Sequence, residues 1–409
     1  MTGQLPVDFW PTAWASRAAV RRHKDLREDD PARGVAARSP TRTCEFEVHP
    51  GFQSDRKLTY NATTSGSRIP DRGRITDVPG ISVGHYTDLE HATGCTAVLV
   101  DEPAVGGIDI RGAATASRET QLLHPLATVE HIHGVMLSGG SVFGLDAAAG
   151  VVRFLEDNGR GLKIGRAVIP IVPAANIFDL GLLSHAVRPT ADDGYTAASA
   201  AGREFELGTV GAGTGATVGK LRGGNHSTKG GVGTASVSLG DGILVGAIVI
   251  TNAIGSVIDP DNGIVVAGPR TETGFENTMD FLVDDPPRLR DLMGIRNSSN
   301  TVVGVVATNV GLDKKAASRF AGAGQDAIAM AVRPAHMSGD GDTVFALATD
   351  TNPRLSGEET IAGIEDRLRA AAMRAMVGAI LSSIEHATGL GGVPSAAEHI
   401  ASFDPEASS

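Results

Sequence analysis

From Val302 to Ala307 the chain reads Val-Val-Gly-Val-Val-Ala without a polar interruption. The stretch before it is rich in breakers, Asp284-Asp285-Pro286-Pro287 and then Asn297-Ser298-Ser299-Asn300. An uninterrupted β-branched run predicts a strand covered on both faces, so Thr301 is the first anchored residue after a polar tether. The same reasoning predicts strands at residues 95–100, 134–138, 232–239, 243–251 and 344–349. A Pro-bounded apolar segment at 170–180 reads as a further strand or a pocket wall. Helices are predicted from the Gly139-Gly140 turn to Gly159, and at 192–205, 314–332 and 357–386, the last with a break. Small residues on the first helix suit close packing on a sheet. These elements fit a large α/β protein with one core.

Residues 1–75 differ in texture. They hold both tryptophans, Trp10 and Trp14, and sustain no helical or strand period, so a disordered extension is expected. Arg21-Arg22 is followed by charged residues where an export signal needs an apolar segment. The formal charge of −11 divides unevenly: the extension has 13 Lys/Arg against 9 Asp/Glu, leaving 23 against 38 for the body. An acidic body argues against nucleic acid as a partner and suits amine-bearing substrates. No apolar run approaches the roughly 20 residues that span a bilayer, so no membrane partner is expected. Cys44 and Cys95 lie far apart without metal-ligand spacing, which makes a reducing, cytoplasmic setting the expectation.

Candidate chemistry centres on Thr301. A break of the Asn300–Thr301 bond gives this one residue both a hydroxyl nucleophile and an α-amine, whose reference pKa near 7.7–8.0 suits a general base. Lys220 closes a glycine-rich run, Gly211 to Gly219, in which backbone can approach a bound group. That run is not a phosphate loop, because Thr214 and Leu221 stand where glycine and a metal-binding hydroxyl are required. Asn252 ends a predicted strand, where sites of α/β proteins are built. Gly339-Asp340-Gly341-Asp342 lacks the remaining ligands of a calcium loop.

Six segments occur in order: Gly139 to Ala147, Gly211 to Lys220, Lys229 to Ser236, Thr251 to Gly255, Asn300 to Asn309 and Asp340 to Thr343. Together they resemble the DmpA/NylC family of self-processing N-terminal-nucleophile hydrolases, over roughly residues 75–395. That family includes L-aminopeptidase/D-esterases, β-aminopeptidases and nylon-oligomer endo-hydrolases, and the Thr nucleophile sides with the last branch. The resemblance implies a layered α-β-β-α sandwich, as in the related ornithine acetyltransferases. It implies cleavage between Asn300 and Thr301 into segments 76–300 and 301–409 that share one core. It further implies Lys220 as a catalytic lysine and Asn252 as an oxyanion donor. Asp340 and Asp342 match carboxylates that hydrogen-bond the nucleophile and its amine. Phe178, in the substrate pocket, stands where the nylon-hydrolase branch has a tyrosine, so one hydroxyl is absent. A short peptide, amino-acid amide or ω-amino-acid oligomer is the implied substrate, with no metal, no cofactor and a homo-oligomer, a tetramer, of processed protomers. An acyltransferase and a non-catalytic binding protein are the alternatives.

Overall fold

The computed structural model describes residues 72–284, 300–352 and 358–403. The extension as far as residue 71, and the tether at 285–299, lie outside the described residues. Arg72 to Ile75, which the sequence reading assigned to the extension, belong to the folded body: Arg72 pairs with Glu385 at 2.6 Å and Ile75 is buried.

Nine strands form the main sheet: β1 (Ile81–Asp88), β2 (Thr93–Ile110), β3 (Ala116–Arg118), β4 (His131–Ser138), β5 (Ala174–Asn176), β6 (Val232–Gly240), β7 (Ile243–Asn252), β8 (Thr301–Thr308) and β9 (Thr343–Ala348). Their order is β6-β7-β8-β9-β2-β4-β5-β3, with β1 also paired to β2. β8 runs parallel to β9 and β4 parallel to β5, and the other pairs are antiparallel.

Side-chain alternation shows how this path becomes two layers. In β8, Val302 and Val306 pack with the helices α3 (Lys314–Ala331) and α4 (Glu358–Glu385), whereas Val303, Val305 and Ala307 face inward. In β2, Cys95, Ala97 and Leu99 face the helices α1 (Ala147–Asp157) and α2 (Ala191–Ser199), whereas Val98 and Val100 join the same inner core as the β8 residues. The layers are therefore helices, sheet, sheet, helices, as the resemblance implied. β2 links both sheet layers: its first half pairs with β1 and β4, its second half with β9, and the pairing with β4 shifts register between Leu99 and Ala104.

Three helical expectations change. α4 runs without a break, because its buried positions Leu368, Ala371, Ala372, Ala375, Met376 and Ala379 keep one continuous face on the core. α2 stops at Ser199, since Gly202 exchanges backbone hydrogen bonds with Val83 of β1 at 2.9 and 3.0 Å. The small residues of α1 serve a helix crossing as well as the sheet: a Cβ on Gly150 would lie 1.8 Å from the carbonyl oxygen of Ala191 in α2.

Candidate active site

Thr301 opens β8 directly opposite Asn252, the last residue of β7. Asn300 continues the same line by a parallel bridge to Asp340. The junction that the hydropathy pattern singled out is thus held on both sides, and Asn300 and Thr301 are both buried. Thr301 Oγ1 donates to the carbonyl oxygen of Asn300 at 2.5 Å. A C=O bond is about 1.2 Å long, so the carbonyl carbon is no more than about 3.7 Å from the hydroxyl oxygen. The same carbonyl accepts the Gly341 N–H at 2.9 Å. Gly341 must be glycine here, because a Cβ would lie 2.9 Å from Thr301 Oγ1 and 2.8 Å from the Ala114 carbonyl.

Asn252 is fully buried. Its Oδ1 accepts the Thr217 N–H at 3.0 Å and Lys220 Nζ at 2.6 Å, which fixes the amide so that Nδ2 donates to the Phe178 carbonyl at 3.2 Å. One of the two Nδ2 hydrogens is therefore held by protein, leaving the second for a ligand oxygen. Lys220 Nζ also donates to the Asn252 carbonyl at 3.0 Å. Although Lys220 is only half-buried as a residue, its ammonium is enclosed. Burial lowers its pKa to about 7, against the charges of Asp340 and Asp179, which favour the cation.

Both aspartates lie against this junction. Asp342 is buried, and its Oδ1 accepts the Val302 N–H at 2.8 Å, one residue beyond Thr301. Its Oδ2 accepts the His336 N–H at 3.1 Å and binds His336 Nδ1 at 2.8 Å. Asp340 Oδ2 accepts the Met337 N–H at 2.7 Å, and its Oδ1 is buried without a hydrogen-bond partner among the described residues. Burial and the neighbouring Asp342 charge hold the Asp340 carboxyl above the usual carboxylate range. In the intact chain neither carboxylate bonds Thr301 Oγ1, whose partner is the Asn300 carbonyl. Phe178 contributes its carbonyl to Asn252, and its side chain is half-buried.

Four residues of this neighbourhood escaped the sequence reading. Gly341 supplies a donor to the Asn300 carbonyl, and His336 braces Asp342. Asp179 accepts the Gly140 N–H at 2.7 Å and the Thr93 hydroxyl at 2.7 Å, so the glycine-rich turn before α1 holds an internal carboxylate. Lys229 is completely buried beside the Lys220 loop. Gly341 and Asp179 have partners distant in sequence, whereas Lys229 and Gly341 lie within the ordered motifs, which assigned them no role. Among the described residues, no group of three or more His, Cys, Asp or Glu side chains is placed to hold a metal ion.

The family profile of peptidase family S58 matches residues 73–397. The chain belongs to peptidase family S58. An uncharacterised aminopeptidase of Mycobacterium tuberculosis is 40% identical over 343 residues, covering 78% of this chain and 96% of its own. A 6-aminohexanoate-oligomer endohydrolase of a Kocuria species is 30% identical over 281 residues, covering 67% of this chain and 74% of its own. Among solved structures, the L-aminopeptidase D-Ala-esterase/amidase of Ochrobactrum anthropi superposes with a TM-score of 0.59 at 21% identity, over 81% of this chain and 90% of that one. It is described as a variant of the Ntn hydrolase fold. A β-aminopeptidase of a Burkholderia species gives 0.57 at 20% identity, over 83% and 96%. This S58 peptidase therefore has the Ntn hydrolase fold and is a hydrolase of peptide or amide bonds.

Proposed function

We propose that this S58 peptidase cleaves itself between Asn300 and Thr301 and then hydrolyses amide bonds of short peptides, amino-acid amides or ω-amino-acid oligomers through an acyl-Thr301 ester. The observation that carries the reading is the pairing of Thr301 Oγ1 with the Asn300 carbonyl at 2.5 Å while Gly341 N–H holds the same oxygen at 2.9 Å. In the first step Oγ1 bonds to the Asn300 carbonyl carbon and gives its proton to a base, for which neutral Lys220 is the candidate. Charge develops on the Asn300 oxygen, where the Gly341 N–H stabilises it. The C–N bond then breaks, the Thr301 nitrogen takes up a proton, and water hydrolyses the resulting ester.

Turnover repeats this chemistry on an external acyl group. The freed α-amine is now available as base, the second Nδ2 hydrogen of Asn252 and the Lys220 ammonium are donors for the oxyanion, and Asp340 and Asp342 orient the new chain start. Phe178 lines the pocket in this reading. A tetramer of processed protomers and a cytoplasmic setting complete it. Among the described residues no helix is long and apolar enough to cross a membrane.

Mass spectrometry of the purified, denatured protein tests the reading. A 109-residue segment beginning at Thr301 is expected, and wild-type protein that stays one chain on prolonged incubation would overturn self-cleavage. Transfer of a trapped acyl group to added amino acid instead of water would identify an acyltransferase.

A further inference from the structure

Lys229 is among the largest fully buried side chains of the described residues, and the chemistry above does not use it. Its Nζ donates to the carbonyls of Ala216 at 2.7 Å, Gly230 at 3.1 Å and Gly213 at 3.3 Å. These three acceptors match the three donors of an ammonium, which a neutral amine with two N–H groups cannot supply. A buried charge is tolerated where its hydrogen bonds are complete.

Two of the three carbonyls, those of Gly213 and Ala216, belong to the loop that builds the site, and the third is that of the residue after Lys229. Thr217 and Val218 pair with Thr228 and Lys229 in a short antiparallel ladder, and Gly230 N–H donates to the Ala216 carbonyl at 3.0 Å. Immediately beyond, Thr217 N–H meets Asn252 Oδ1 at 3.0 Å. The Gly219 and Lys220 N–H groups donate to the carbonyls of Gly255 and Ile254, each at 3.2 Å. Ala212, Ala216 and Val218 of the loop pack in the core, but Gly213, Gly215 and Gly219 each have backbone within 2.4 Å of where a Cβ would stand, so no side chain can anchor those three positions. Lys229 replaces that anchorage with polar bonds from the inside.

We propose that Lys229 is a positioning residue for hydrolysis, locking the 213–219 loop so that the Thr217 amide and Lys220 meet Asn252 in reacting geometry. This rests on the reading that Lys220 and Asn252 act on the acyl carbonyl. A second effect accompanies the lock, because the Lys229 charge faces Lys220 and disfavours its protonated form, opposed by Asp179 and Asp340. Burial lowers Lys229 itself to about 7, against the charge of Asp179.

The test compares wild type, Lys229→Gln, Lys229→Met and Lys220→Ala as full-length chains. It reads self-cleavage, the pH profile of amide hydrolysis, and hydrogen exchange of the Thr217 amide. Lys229→Met should lose about 10²-fold in kcat, the scale set by a displacement near 1 Å. Lys229→Gln, with two donors, should fall between. In both, Thr217 should exchange faster, and the alkaline limb of kcat/KM, where the Lys220 ammonium donor is lost, should move to higher pH as Lys220 loses a like-charged neighbour. If wild type is processed and Lys220→Ala is crippled while Lys229→Met matches wild type in rate, limb and exchange, the inference is overturned. If wild type stays one chain and Lys220→Ala is unaffected, the underlying reading fails, and a Lys229-dependent Thr217 amide is then a structural lock without catalytic role. Failure of both Lys229 variants to fold also overturns the inference, because it assigns the lysine to the whole body.

Discussion

β8 opens at Thr301 after Asn300 and closes at Thr308 before Asn309, so the same two residue types bracket one buried strand. At the far end Asn309 Oδ1 accepts the Leu244 N–H at 2.9 Å, its Nδ2 donates to the Gly242 carbonyl at 2.7 Å, and the Thr308 carbonyl accepts the Thr349 N–H at 3.0 Å. The two Asn309 bonds tie the turn between β6 and β7, and the start of β7, to the strand. At the near end the threonine hydroxyl points back at its own preceding carbonyl, with a lysine of lowered pKa and a carboxyl of raised pKa close by. Residue type does not separate the two ends. The ionisable groups brought to one of them do, and perturbed titration in a buried cluster marks candidate sites.

The sharpest break in this comparison comes from the two threonines. Thr301→Ala should abolish both self-cleavage and hydrolysis, leaving a single chain by mass spectrometry, whereas Thr308→Ala should be cleaved and active. A Thr308→Ala protein that remains intact would erase the distinction. The two asparagines come next. Asn252→Ala is expected to keep slow self-cleavage, whose tethered carbonyl supplies proximity, but to lose about 10²- to 10³-fold in kcat on a peptide amide. Asn309→Ala should cost about 1–3 kcal/mol of stability in denaturant titration with near-normal turnover, since it leaves backbone groups of Leu244 and Gly242 unpaired.

A smaller effect is the pH profile. Burial lowers Lys220 to about 7, so its neutral, proton-accepting form prevails above that pH. The rate of self-cleavage should fall about tenfold per pH unit below it, and a profile without this limb in wild type would remove Lys220 as the base.

The smallest concerns His336. Burial alone would lower its pKa, but the Asp342 hydrogen bond and charge raise it overall. A raised pKa means that the pair stabilises the fold fully below the unfolded value of about 6.5 and loses this as pH rises through the folded value. His336→Asn suits the left-handed backbone at φ +59° and keeps a neutral donor. It should cost about 1 kcal/mol or less at pH 6 and still less at pH 9, with activity within about tenfold of wild type. Equal destabilisation at both pH values would show that the charge of His336 is not involved.

The strands, the helices and the polar-to-apolar junction were legible because period and punctuation are local properties. Thr301, Lys220, Asn252, Asp340 and Asp342 were legible as candidates through ordered motifs, and β7, β8 and the 339–342 segment bring their backbones together. What the motifs did not carry was orientation. In the uncut chain Asp342 binds the Val302 amide, and Asn252 spends one amide hydrogen on the Phe178 carbonyl. Asp179 reaches Thr93 across 86 positions and Arg72 reaches Glu385 across 313, separations at which no local pattern operates. The helix crossing at Gly150 was invisible for the same reason, because a glycine does not say which neighbour approaches it.

The strand order has one further consequence. β8 and β9 lie after the Asn300–Thr301 bond, yet they are hydrogen-bonded between β7 and β2, which lie before it. If the bond is cut, the shorter piece is not a lid or an appendage but the middle of a woven fabric, with threads of the longer piece on either side. Such a nick changes the covalent bookkeeping and leaves the weave intact. The two pieces can part only by unravelling the sheet, so the scar is read out as one new chain start and not as a loss of unity.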